Sequence, residues 1–315
     1  MKLHGLHHVT AMAGDPQKNI DFYVGVLGLR LVKKTVNFDD PGTYHLYYGD
    51  QIGSPGTILT FFPWPGARLG KAGVGAATRV AFQVRSGSLS YWMNRLQDKG
   101  ISSVKTRKRF KRESLEFCDP DGIALEIVET ENPRSVKPWV GSDVPLEHAL
   151  HGFSGVTLTL LEKNKTADLL MEVMGAQFDG EDGEYTRYSL GDGAQSTKID
   201  LIEEPLKSSG GGGAGTIHHI AWETPSDAEQ VEWQKRLVKD GFDVSPVMDR
   251  NYFNSIYFRE PGHVLFEIAT TPPGFMVDEP VESLGEKLML PAWLESNRNV
   301  LEASLPKLLV PGGAS

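Results

Sequence analysis

Thr216-Ile217-His218-His219-Ile220-Ala221-Trp222, read with Gly262-His263-Val264-Leu265-Phe266-Glu267-Ile268, decides the reading of this chain. Both runs are short, apolar and β-prone, which predicts buried strands rather than helices. Each nevertheless carries an imidazole or a carboxylate where a core strand would place Val or Leu. A buried ionisable group needs a compensating partner, and a divalent cation is one that imidazole and carboxylate can share.

A third candidate stands near the other end, in Leu6-His7-His8-Val9-Thr10. Two His and one carboxylate, with positions left open, are the ligand set of non-haem Fe(II) oxygenases. Successive strand residues face opposite sides, so each His-His pair is expected to offer one member to a given cavity. This reading turns His8 and His219 inward and leaves Val9, Ile220 and Trp222 on the face that packs on helices. By the same alternation His7 falls on the outer face. A β-bulge would reverse the choice.

Outward from these runs the chain repeats itself. His4-Gly5-Leu6-His7-His8-Val9-Thr10 returns as His151-Gly152-Phe153-Ser154-Gly155-Val156-Thr157, and Arg79-Val80-Ala81-Phe82 returns as His219-Ile220-Ala221-Trp222. Phe117 to Glu126 likewise matches Phe258 to Glu267. The order is A, B, A′, B′, too few and too mixed for a solenoid. Each unit reads as strand, helix, then several strands. The helices are expected around Ile20–Val24, Leu89–Leu96 and Ala228–Leu237, closed by Gly28, Gly100 and Gly241. Asp119-Pro120-Asp121-Gly122 and Glu260-Pro261-Gly262 mark tight turns before the last strand of their units.

The chain has 315 residues, 40% of them hydrophobic, which is ordinary for a packed globular protein of one large or two smaller domains. Its formal net charge of −9 argues against a nucleic-acid surface, and the basic run Lys105–Arg112 is local, a solvated strand or loop. The single cysteine, Cys118, excludes an intramolecular disulfide and reads as a small buried apolar residue. No signal-like run follows Lys2 and no stretch has bilayer-spanning length, so a cytoplasmic location and no membrane partner are expected. The Ser/Gly-rich run 208–215 reads as a flexible loop, because it feeds a strand and lacks the helix and lysine of a phosphate cradle. The expected divisions are 1–133 for the first pair of modules, 134–149 for a linker, 150–272 for the second pair, and 273–315 for a tail with a helix at residues 291–302.

With the βαβββ pattern and the His, His, Glu set in hand, the sequence resembles the vicinal oxygen chelate superfamily, and within it the ring-cleaving dioxygenases that open hydroquinones. The resemblance covers nearly the whole chain. It rests on residues 6–10, Tyr44-His45-Leu46-Tyr47-Tyr48, Gly53-Ser54-Pro55-Gly56-Thr57, residues 217–221, Asp249-Arg250, Ser255-Ile256-Tyr257 and Phe266-Glu267. It implies an α+β fold of four βαβββ modules forming two glyoxalase-like domains, with curved mixed sheets around a cavity. Its ligand pattern falls on His8, His219 and Glu267. It also implies Fe(II), with Mn(II) as a replacement, and a small aromatic substrate with O2.

The position of His8 in A′ is Gly155, and that of His219 in B is Arg79. One full ligand set therefore exists, and A and B′ are expected to lie together across one metal. Thr10, His218, Arg250 and Tyr257 are the expected supporting residues, Arg250 and Tyr257 stabilising a substrate phenolate. His45 and His151 are read as structural or exposed, and Glu126 as a structural remnant. A homodimer through exposed sheet edges is also expected. Two other functions fit the fold class: a metal-dependent isomerase or lyase that consumes no O2, and a small-molecule binding protein without catalysis.

Overall fold

The β-branched and aromatic runs pair into sixteen strands among the residues described by the computed structural model, which are 1–193, 196–205 and 208–311. Module A contributes β1 (Leu6–Ala13), α1 (Pro16–Tyr23), β2 (Arg30–Asn37), β3 (Asp40–Gly49) and β4 (Ile58–Pro63). Module B contributes β5 (Ala76–Arg85), α2 (Leu89–Asp98), β6 (Lys105–Arg109), β7 (Arg112–Cys118) and β8 (Ala124–Thr130). A′ follows with β9 (Phe153–Leu160), α3 (Asn164–Asp168), β10 (Gln177–Asp182), β11 (Tyr185–Leu190) and β12 (Thr197–Glu203). B′ closes with β13 (Thr216–Thr224), α4 (Asp227–Lys239), β14 (Met248–Asp249), β15 (Phe253–Arg259) and β16 (Leu265–Pro273).

The helices begin and end for local reasons. Asp15 accepts from the Gln17 and Lys18 amides ahead of α1, and Ser226 accepts from Glu229 ahead of α4. Gly28, Gly100 and Gly241 follow α1, α2 and α4 with φ of 71°, 85° and 91°, the left-handed turn-out that glycine adopts without a Cβ clash. The amphipathic Trp233 and Leu237 of α4 are buried, as are Trp92 and Leu96 of α2.

The two sheets do not coincide with the two halves of the sequence. One runs β14-β15-β16-β13-β1-β4-β3-β2 and joins A to B′, while the other runs β10-β11-β12-β9-β5-β8-β7-β6 and joins B to A′. The seam of the first is the antiparallel pair β1 with β13, and it carries two bulges. Leu6 faces Trp222 and His8 faces Ala221, so His7 is an extra residue; Thr10 faces His219 and Ala11 faces Ile217, so His218 is another. Both bulges fall on the first member of a His-His pair.

Three expectations are corrected here. Cys118 is exposed, because Leu115 and Phe117 take the inward positions of β7 and alternation turns residue 118 out. The run 208–215 is tied down by bridges of Ser209, Gly211 and Ala214 to Val74, Lys71 and Leu69. A Cβ on Gly70 would lie 2.8 Å from the Gly213 nitrogen, so glycine here serves close backbone approach. In the tail, Ala292–Asn297 forms a 3-10 turn and the α-helix, α5, is confined to Arg298–Ser304. Among the described residues no helix is long and apolar enough to cross a membrane.

Candidate active site

β1, β13 and β16 lie side by side in the first sheet, and each sends one polar side chain to the same point. His8 Nε2 is 3.3 Å from His219 Nε2 and 3.4 Å from Glu267 Oε2, and His219 Nε2 is 2.9 Å from that oxygen. All three residues are buried, Glu267 completely. Ser255 on β15 donates to Glu267 Oε1 at 2.5 Å, whereas Oε2 accepts no hydrogen bond of good geometry and faces the two imidazoles. Burial alone would raise the Glu267 carboxyl, but His8 and His219 outweigh it and hold the group well below the usual carboxylate range.

The bulges decide how the imidazoles are presented. His7 Nδ1 is 2.9 Å from His8 Nδ1, and His218 Nδ1 is 2.8 Å from His219 Nδ1. With a proton on each ligand-side Nδ1, both Nε2 lone pairs point at Glu267 Oε2. Three lone-pair donors converging in a buried site form a cluster that a cation would complete, so these residues fit a divalent metal. His7 does not sit on the outer face that strict alternation assigns to it. It is buried against His8 and Phe253, and burial, then His8, pushes its imidazole down to about 3. His218 is lowered to about 4, first by burial and then by His219.

Above the cluster opens a cavity of about 360 Å³ whose walls include Phe62, Trp64, Phe253, His45 and Tyr47. Arg250 and Tyr257 stand on one side of it. Arg250 Nε donates to the Tyr257 hydroxyl at 3.3 Å and Nη1 pairs with Asp39 at 3.1 Å. Burial, then Glu267, raises the Tyr257 phenol, so it stays a donor. Thr10 and His218 also line the space, and the structure thus gathers His8, His219, Glu267, Thr10, His218, Arg250 and Tyr257 around one cavity.

His45, read from the sequence as structural or exposed, is half-buried and lines this cavity, its ring tilted between Tyr47 and Phe62 with centroids 4.0 and 4.2 Å away. The signal was available in Tyr44-His45-Leu46-Tyr47, where period-2 spacing puts His45 and Tyr47 on one face. Ser255 and Tyr47, quoted above only as parts of the resemblance, also stand at the site. His151, in contrast, is buried away from the cavity, its Nδ1 3.1 Å from the Arg134 carbonyl oxygen.

The second sheet shows what the same geometry becomes without the histidines. Gly155 pairs with Ala81 as His8 does with Ala221, and Arg79 pairs with Thr157 as His219 does with Thr10. No side chain fits at Gly155, where a Cβ would lie 2.2 Å from the Lys198 carbonyl oxygen. Glu126 is buried and paired with Arg109, which also reaches Glu116 at 2.6 Å. An internal guanidinium supplies the positive charge there. Glu126→Gln is therefore expected to leave metal content and turnover at wild-type values, with a modest loss of thermal stability. Loss of metal in that variant would reveal a second metal site.

Paired βαβββ modules around a cavity floored by His, His and Glu define a protein of the vicinal oxygen chelate type. The chain belongs to the glyoxalase/bleomycin resistance protein/dioxygenase superfamily, whose sequence model matches residues 5–127 and 162–268. It is 50% identical to the “Putative ring-cleaving dioxygenase MhqO” of Bacillus subtilis (strain 168), over 96% of each chain. It is 35% identical to the chlorohydroquinone/hydroquinone 1,2-dioxygenase of Sphingobium indicum, over 95% of each. A crystal structure of a similarly named Bacillus subtilis dioxygenase superposes with a TM-score of 0.94 at 48% identity, covering 98% of both chains. Glyoxalase I from Zea mays shares the fold alone, with a TM-score of 0.59 at 15% identity over 85% of this chain and 92% of that one.

Proposed function

We propose that this protein is a non-haem Fe(II)-dependent dioxygenase that opens the aromatic ring of a hydroquinone-type substrate with O2. The observation that carries the reading is the convergence of His8 Nε2, His219 Nε2 and Glu267 Oε2 on the floor of an aromatic-walled cavity. The 35% identical Sphingobium indicum enzyme, named for hydroquinone cleavage, supports the substrate class. Mn(II) is a workable replacement, since imidazole and carboxylate discriminate weakly between the two ions.

His8, His219 and Glu267 would hold the metal at the floor of the cavity. Bound there, Fe(II) supplies a Lewis-acidic, redox-active centre with positions open to a substrate oxygen and to O2. The chain does the rest. His7 and His218 fix the ring orientation of the two ligand histidines, and Ser255 fixes one carboxylate oxygen. A substrate bound as its phenolate would be stabilised by the Arg250 guanidinium and the Tyr257 hydroxyl. The aromatic walls exclude water and pack against the ring, which strengthens every charge interaction inside.

Oxygen accounting tests this reading. With iron-loaded protein and hydroquinone, one O2 is expected to disappear per substrate consumed, and both atoms of ¹⁸O2 are expected in the ring-opened product. Turnover of a hydroxylated aromatic without O2 uptake would sink the dioxygenase reading and favour a metal-dependent isomerase of the same fold.

A further inference from the structure

One wall of the cavity carries a row of polar side chains to which the chemistry proposed above assigns no part. The row follows from strand register: Tyr47 on β3 faces Thr60 on β4, Thr60 faces Thr10 on β1, and Thr10 faces His219 on β13. His45 lies two residues before Tyr47 and so shares its face. The side chains are in hydrogen-bond contact in sequence. Tyr47 Oη and His45 Nδ1 are 2.8 Å apart, His45 Nε2 and Thr60 Oγ1 are 2.8 Å apart, and Thr60 Oγ1 donates to Thr10 Oγ1 at 2.9 Å.

The contacts have one consistent direction. A hydroxyl has a single proton, and Thr60 gives its own to Thr10, so Thr60 accepts from His45 and the His45 proton is on Nε2. His45 Nδ1 is then bare and accepts from the Tyr47 hydroxyl. Burial, then Tyr257, raises the Tyr47 phenol well above its ordinary value, and this keeps that proton in place. The last member, Thr10, is completely buried beneath the cavity it lines, and among the described residues no group accepts its proton. The open end of the row is therefore a hydroxyl at the cavity boundary whose proton is not taken up by the rest of the row.

We propose that Tyr47, His45 and Thr60 form a one-way hydrogen-bond relay that turns the Thr10 hydroxyl proton toward a phenolate oxygen of the cavity's ligand. The three are positioning residues acting through Thr10, and the ligand class rests on the ring-cleaving function proposed above. A donor held in place by a chain of others needs no reorientation when charge arrives, and the chain polarises it in a site shielded from water. The inference deepens that reading by adding a second phenolate-recognising group, on the wall formed by β3, β4 and β1.

The test uses 4-nitrophenol with iron-loaded protein under anaerobic conditions, because its phenolate absorbs separately from its phenol. Wild-type protein is expected to prefer the phenolate, so that the bound probe titrates below the free one. Thr60→Val and Tyr47→Phe are expected to weaken phenolate binding about tenfold, the low end of the loss for a hydrogen bond to a charged group because they act through Thr10, while Thr60→Ser restores it. Nitrobenzene, an uncharged probe of similar size, is expected to bind wild type and all three variants alike.

Equal phenolate binding by Thr60→Val and wild type overturns the relay. So does a parallel loss of nitrobenzene affinity, which would mark a packing role, and so does a wild-type protein with no preference for the phenolate. Oxygen uptake on hydroquinone is read separately. A normal probe response without O2 uptake keeps the relay and sinks the ring-cleaving function, and the reverse result sinks only the relay.

Discussion

His8→Ala, His219→Ala and Glu267→Ala are each expected to abolish tight iron binding and ring cleavage while the fold persists. Each variant removes one of three donors that converge within a few ångströms, and Glu126, the matching carboxylate of the other sheet, is already engaged by Arg109. Losing an outer hydrogen-bond partner of a metal ligand typically costs about 10–100-fold in affinity, so losing the ligand itself should cost more. Folding should survive, because β1, β13 and β16 keep their ladders, though losing either imidazole takes a partner from the buried Glu267 carboxylate and should lower the melting temperature. Glu267→Ala also strands the Ser255 hydroxyl, a penalty of about 1–3 kcal/mol. Metal analysis of anaerobically purified protein, beside a thermal melt, checks both halves. Normal iron content in any one variant would remove that residue from the ligand set.

Arg250→Ala and Tyr257→Phe are expected to give the second largest effects, with iron retained and turnover lost. Neither side chain belongs to the His8, His219 and Glu267 cluster, yet both line the cavity beside it, where the proposed phenolate would meet a cation and a donor. Removing one such donor typically costs about 10²–10³-fold in rate. Arg250→Ala should be the more severe change, since a charge goes with the hydrogen bond. The kinetic signature is a fall in kcat and kcat/KM at unchanged iron stoichiometry, measured by oxygen uptake. Unchanged rates in both would return Arg250 and Tyr257 to structural roles.

The fold was legible because its strands obey period 2 and because the chain matches itself twice over. Gly155 and Arg79 stood out against His8 and His219 only through that repeat, and the asymmetry pointed to A lying with B′. What alternation could not supply were the bulges at His7 and His218. A bulge depends on the pairing of two distant strands, and nothing within Leu6-His7-His8-Val9-Thr10 announces that Trp222 and Ala221 will stand opposite with one residue too few. The place of His45 was hidden for a different reason. A lone polar residue in an apolar run has no visible partner until Thr60 and Tyr47 are brought beside it by β4 and by register. Cys118 shows the opposite failure, since its inward assignment ignored the period set by Leu115 and Phe117.

The interleaving of A with B′ has a consequence for how the chain is made. A ribosome releases β1 first and β13 and β16 nearly last, so the strand that carries His8 emerges with its seam edge unpaired. Pairing between segments so distant in sequence is slow, and exposed strand edges recruit other chains. Module B and A′, being consecutive, can complete their sheet in the meantime and hold the ends of A and B′ near each other. The sheet built from B and A′ can thus close first, leaving A and B′ to pair across it once β13 and β16 have been made.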